Sequence, residues 1–93
     1  MRIALLGAGH IGQTIARLLG HSGDYEVVVV DRSASALARL AGDPVTTLQA
    51  ETSDAAALQQ VMRRHDAVVN ALPYHLATLA ATQARDAAAI ISI

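Results

Sequence analysis

Apolar positions along the chain fall into two rhythms that take turns. Ile3-Ala4-Leu5-Leu6 is an unbroken apolar run closed by Gly7, the pattern of a strand buried on both faces. Ile11, Ile15, Leu18 and Leu19 then recur at helical spacing, with Gln13, Thr14 and Arg17 between them, and predict an amphipathic helix. His21-Ser22-Gly23-Asp24 breaks that helix, with Gly23 as a left-handed stop. Tyr25 to Val30 is the clearest strand, because four consecutive β-branched valines disfavour helix and suit a buried sheet. Ser33 is placed to cap a second helix through Leu37 and Leu40, ended by Gly42-Asp43-Pro44. Val45 to Leu48 reads as a third, weaker strand. Ser53 or Asp54 caps a helix with Leu58, Val61 and Met62 on one face, and Asp66 to Asn70 is a fourth strand. Pro73 opens an alanine-rich helix from about Tyr74 to Ala88, and a fifth strand starts at Ile90.

Strand and helix alternate throughout with short connections. That implies an α/β architecture: a parallel sheet of about five strands with helices on both faces, joined by right-handed crossovers. The expected strand order is 3-2-1-4-5, the three-layer half of a Rossmann-type fold, with a ligand crevice where the order reverses between strands 1 and 4. The 93 residues suffice for one domain, and no internal repeat or linker divides them.

The first loop, Gly7-Ala8-Gly9-His10-Ile11-Gly12, has the Gly-x-Gly-x-x-Gly spacing in its proper context, between a strand and a helix. Gly7 permits a tight turn, Gly9 a close backbone approach to a pyrophosphate, and Gly12 close packing of helix on strand. The helix N-terminus offers free N–H groups and the positive end of its dipole to phosphate. Asp31 stands nineteen positions after Gly12 at the end of the valine strand, the place of an acid that accepts from the adenosine ribose hydroxyls. A carboxylate there disfavours a 2′-phosphate and points to NAD, while Arg32 beside it keeps NADP open. Asn70-Ala71-Leu72-Pro73 follows the fourth strand at the same crevice. Asn70 either bonds the cofactor or simply caps the local turn. Glu51-Thr52-Ser53-Asp54 lies at the edge of the third strand, where Asp54 serves best as a helix cap.

Composition narrows the partners. A 53% hydrophobic, 16% charged chain of net charge −1 has an aliphatic core and no basic surface for nucleic acid. Cysteine is absent, and the four histidines lack metal-ligand spacing, so no metal or catalytic residue is expected. His21 and His65 fall at helix ends, favourable places for an imidazole. The longest apolar run, Val27 to Val30, is far too short to span a membrane, and a cytoplasmic location is expected.

Met1 to Gly12, then Val29-Val30-Asp31-Arg32, then Asp66-Ala67-Val68-Val69-Asn70-Ala71-Leu72-Pro73-Tyr74 together resemble the N-terminal domain of saccharopine dehydrogenase-like proteins. Glu51-Thr52-Ser53-Asp54 is similar to that family's acidic stretch, with glutamate where aspartate is expected, and the final strand lacks the family's glycine and aromatic. The resemblance implies an oxidoreductase acting on C–N bonds of amino acids by hydride transfer with a nicotinamide dinucleotide. It also implies a substrate domain supplied elsewhere in the parent chain, so that residues 1–93 bind cofactor without turnover. An open sheet edge leaves room for a homo-oligomer. The alternative is a nucleotide-sensing module such as that of a potassium-transport regulator, which shares the glycine loop and the acid of the second strand.

Overall fold

The computed structural model describes residues 1–72 and 90–92. In chain order the elements are β1 (Arg2–Leu6), α1 (His10–Ser22), β2 (Glu26–Asp31), α2 (Ala34–Ala38), β3 (Thr46–Gln49), α3 (Ala55–Arg63), β4 (Ala67–Asn70) and β5 (Ile90–Ser92). The five strands form one parallel sheet in the order β3-β2-β1-β4-β5, as the alternation predicts. The alanine-rich helix from about Tyr74 lies outside the described residues.

The period of two along each strand divides the sheet into two faces. Ile3 and Leu5, Val27 and Val29, and Ala67 and Val69 point to one face and bury against Ala16 of α1 and Leu37 and Leu40 of the α2 segment. Ala4 and Leu6, Val30 and Val68 point to the other and bury against Leu58 and Met62 of α3. Helices carrying the chain one way across the sheet lie on one face, and α3, which carries it back, lies on the other. This is the right-handed crossover rule at work.

Helix ends follow the predicted chemistry. Ser33 Oγ accepts from the Ala36 N–H at 3.2 Å, and Asp54 Oδ1 accepts from Ala56 and Ala57 at 3.0 and 3.3 Å. Gly23 closes α1 at φ +80°. The buried face of α1 departs from expectation in part: Ile15 and Leu19 pack against the core as predicted, half-buried. Ile11 and Leu18 are 59% and 69% exposed, and the buried stripe is instead Gly12, Gln13, Ala16 and Gly20. Small residues four apart let the helix axis approach the sheet and its loops closely. A Cβ on Gly20 would stand 2.8 Å from Val45 Cγ1 and 3.1 Å from the Pro44 carbonyl. Val45 accordingly packs against the core beside α1, and β3 starts one residue later than its apolar run suggests, with all four of its residues exposed.

At the amino end of the sheet, α1 is fastened to the loop before β3. Arg17 Nε donates to Asp43 Oδ2 at 3.3 Å and its Nη2 to the Arg39 carbonyl at 3.2 Å, while His21 Nε2 meets Asp43 Oδ1 at 3.2 Å. The His21 hydrogen bond first, and the Arg17 guanidinium after it, hold the Asp43 carboxyl below its ordinary 3.8.

Two outcomes follow from this packing. Gly20→Leu should destabilise the fold by about 1–3 kcal/mol through overpacking against Pro44 and Val45, read by urea denaturation. Because the Asp43 pKa is depressed by folding, its contribution is present above the unfolded value and drains as the pH falls below 3.8 through the folded one. Asp43→Asn should therefore flatten the acid limb of the stability curve, and an unchanged limb would rule out this fastening as its source.

Candidate dinucleotide-binding site

Strand register assembles the site. Leu6 pairs with Val30 on one side and Asn70 on the other, so the chain leaves β1 between the ends of β2 and β4. The ladder continues one step further each way. Gly7 N–H donates to the Val30 carbonyl at 2.8 Å, and Ala71 N–H donates to the Leu6 carbonyl at 2.8 Å. Gly7 thus sits beside Asp31 and Ala71, residues far apart in sequence. This is the reversal point of the strand order, where open α/β sheets hold their ligands.

The three glycines of the loop are required for different reasons. Gly7 has φ +102°, and a Cβ there would lie 2.8 Å from the Ala71 carbonyl oxygen, so both backbone conformation and space exclude a side chain. A Cβ on Gly12 would collide with the Gly7 carbonyl oxygen, because α1 starts almost in contact with the turn. Gly9 is different. Its φ of −71° suits any residue, and among the described residues nothing lies within 4 Å of where its Cβ would be. Packing among the described residues gives no reason for glycine at that position, and the space above it is open to a ligand.

Gly9 is also the N-cap of α1, and among the described residues no side chain caps the helix; its first turn holds no acid. The first N–H to find a helical partner is that of Gln13, which donates to the Gly9 carbonyl at 2.8 Å. The N–H groups of His10, Ile11 and Gly12 precede the first possible i→i−4 bond and carry the positive end of the dipole. Above them opens a crevice of about 490 Å³ lined by Gly7, Gly9, His10, Ile11, Gly12, Asp31, Ala71 and Leu72. That volume lies within the usual range for small-molecule pockets. An uncapped helix start beneath an empty glycine position suits the charge and shape of a pyrophosphate.

Of the residues singled out in the sequence, these eight meet at the crevice. Ala8 lies under it, fully buried in the core. Asp31 is a structural hub: Oδ2 accepts from the Ala8 N–H at 2.7 Å and Oδ1 from the Ser33 N–H at 2.8 Å. Asn70 is 1% exposed, and its Oδ1 accepts from the Leu72 N–H at 3.1 Å, so it serves the capping role at the β4 turn. Arg32 is exposed beside the crevice rather than in it, and among the described residues its guanidinium makes no hydrogen bond or ion pair. Its charge reaches Glu51, whose carboxyl lies below its ordinary value chiefly through hydrogen bonds from the Ser53 N–H and hydroxyl. Pro73 lies outside the described residues.

Sequence reasoning missed Gln13. It is 8% exposed, and its Nε2 donates to the Ala8 carbonyl at 2.9 Å. The available signal was its position three residues before Ala16 and seven before Gly20, on the edge of the small-residue stripe.

The profile of the saccharopine dehydrogenase NADP-binding domain matches residues 3–90. The chain belongs to that family. The membership decides for the dehydrogenase resemblance over the potassium-transport sensor. The family's dinucleotide is NADP, which favours the alternative that Arg32 kept open over the NAD preference drawn from Asp31. The fold of this saccharopine dehydrogenase-type domain is similar to that of the apo saccharopine dehydrogenase (L-Glu forming) of Saccharomyces cerevisiae, at 25% identity and a TM-score of 0.79. The similarity covers 98% of this chain and 21% of the yeast chain. BdcA from E. coli shares the fold at 24% identity and a TM-score of 0.71, over 89% of this chain and 54% of its own. This chain therefore spans about a fifth of the length of the yeast chain and about half that of BdcA. No curated protein matches it. No helix among the described residues is long and apolar enough to cross a membrane.

The contrast between Gly9 and Gly12 can be measured without any ligand. Gly9→Ser supplies the missing cap and should stabilise the chain by about a few tenths of a kcal/mol in thermal denaturation. Gly12→Ala should destabilise it by about 2 kcal/mol or more, through the collision with Gly7.

Proposed function

We propose that this chain is the cofactor-binding domain of an NADP-dependent oxidoreductase acting on C–N bonds of amino acids. The observation that carries the reading is the uncapped first turn of α1, opening under Gly9 at the reversal of the strand order. In this reading the N–H groups from Gly9 to Gly12 hold the pyrophosphate, with Gly7 and Ala8 shaping the loop and His10 and Ile11 at its rim. The Asp31 oxygens each accept one backbone N–H and retain lone pairs for a ribose hydroxyl. The exposed Arg32 guanidinium, without a hydrogen bond or ion pair among the described residues, is the partner for the 2′-phosphate. Asn70 sets the turn that presents Ala71 and Leu72, with Pro73 next in the chain, toward the nicotinamide side.

When bound, the nicotinamide exchanges a hydride with a carbon attached to nitrogen. The groups that recognise the amino-acid substrate and move its proton belong, in this proposal, to a second domain. The family membership and the small share of the yeast dehydrogenase covered by this chain support that division.

Calorimetric titration of the chain with NADPH and NADH tests the reading. NADPH should bind more tightly, and Arg32→Gln should cost NADPH about tenfold or more, the worth of a charge-assisted hydrogen bond, while leaving NADH nearly unchanged. Gly9→Ser should weaken both. Tighter binding of NADH would overturn the choice of NADP, and binding of neither would overturn the dinucleotide reading.

A further inference from the structure

We infer that Gln13 is a positioning residue for the pyrophosphate seat, an inference that rests on the dinucleotide reading of the same loop. Gln13 is one of three buried polar or charged residues among those described, with Thr52 and Asn70. A buried amide is costly unless bonded, so its single long reach must serve a purpose. Its Nε2 donates to the Ala8 carbonyl at 2.9 Å, while the Ala8 N–H donates to Asp31 Oδ2 at 2.7 Å. Both polar groups of Ala8 are thereby held from opposite directions, one by α1 and one by β2.

The consequence passes through the planar peptide that joins Ala8 to Gly9. In a trans peptide the C=O and the following N–H point in opposite directions. With the Ala8 carbonyl drawn toward the buried Gln13 side chain, the Gly9 N–H is aimed away from it, toward the open side of the loop. Glycine residues flank Ala8 on both sides, and glycine backbone turns with little steric resistance. Without the Gln13 bond that peptide is free to rotate, and the first donor of the anion seat loses its aim. Ala8 N–H itself is committed to Asp31, which makes Gly9 the first N–H in the loop available to a phosphate.

Gln13→Met keeps the volume and removes the donor. Three ligands separate the roles: NADPH, ADP-ribose, which keeps the pyrophosphate without nicotinamide, and adenosine 2′-monophosphate, which has no pyrophosphate. The variant should bind NADPH and ADP-ribose about tenfold more weakly and adenosine 2′-monophosphate as the wild type does. Equal weakening of all three, or of none, overturns the positioning role. A wild-type chain that binds neither pyrophosphate compound overturns the dinucleotide reading and this inference with it. A second measurement needs no substitution: the Gln13 side-chain amide signal in NMR spectra of the wild type should shift on addition of ADP-ribose and stay in place with adenosine 2′-monophosphate. A shift with both, or with neither, overturns the inference.

Discussion

The carboxylate of Asp31 joins two loops that approach from different strands. One oxygen takes the N–H of Ala8, in the loop after β1, and the other takes the N–H of Ser33, at the entry to α2. Hydrogen bonds to an ionised acceptor are about twice as strong as neutral ones. They also act where ordering is most expensive, in a loop of three glycines within six residues. Gln13 completes the hold from α1, and the Ala71 carbonyl closes on Gly7 from β4. The shape of the crevice depends on this mutual bracing more than on any one residue that lines it.

Against that bracing, the start of α1 forgoes stability. The two shorter helices, α2 and α3, begin with capping side chains, Ser33 and Asp54, each accepting from the first turn. The longest described helix begins at Gly9 with none. A local rule obeyed twice and broken once marks the place where function competes with folding. The cost falls on a helix that can bear it, because Gly12, Ala16 and Gly20 bring it close to the sheet and its loops and Arg17 and His21 fasten its far end to Asp43. The same close approach brings the N-terminus of α1 down beside the Gly7 turn, within reach of whatever occupies the crevice.

Membership in the saccharopine dehydrogenase NADP-binding family gives these features a common purpose. Asp31 takes on a double character there. In the proposed reading it is the acid that meets the ribose, and in the structure it is the internal brace of the loop. A carboxylate that braces the loop has a structural reason to be there whichever dinucleotide is proposed, so its presence is a weaker guide to NAD than its charge suggests. The exposed Arg32, whose guanidinium makes no hydrogen bond or ion pair among the described residues, is in the proposed reading the freer reporter of cofactor choice.

The sequence by itself determined the alternation of strands and helices, the strand order, the capping by Ser33, Asp54 and Gly23, and the glycine loop at the carboxyl end of β1. The strand order follows from the alternation through the crossover rule; the others rest on local chemistry: side-chain period, β-branching, a cap or a left-handed turn within a few residues. Tertiary structure decided the rest. Periodicity weighed Ile11 and Leu18 as core because they are large and apolar, yet a helix pressed onto a sheet selects its smallest stripe, and both turned outward. Val45 left its strand for the same contact with α1. Asp31 and Gln13 were legible as a polar end and a polar face, and their partner Ala8 was not. That pairing depends on the register that sets Gly7 beside Asp31, and register is a property of the assembled sheet.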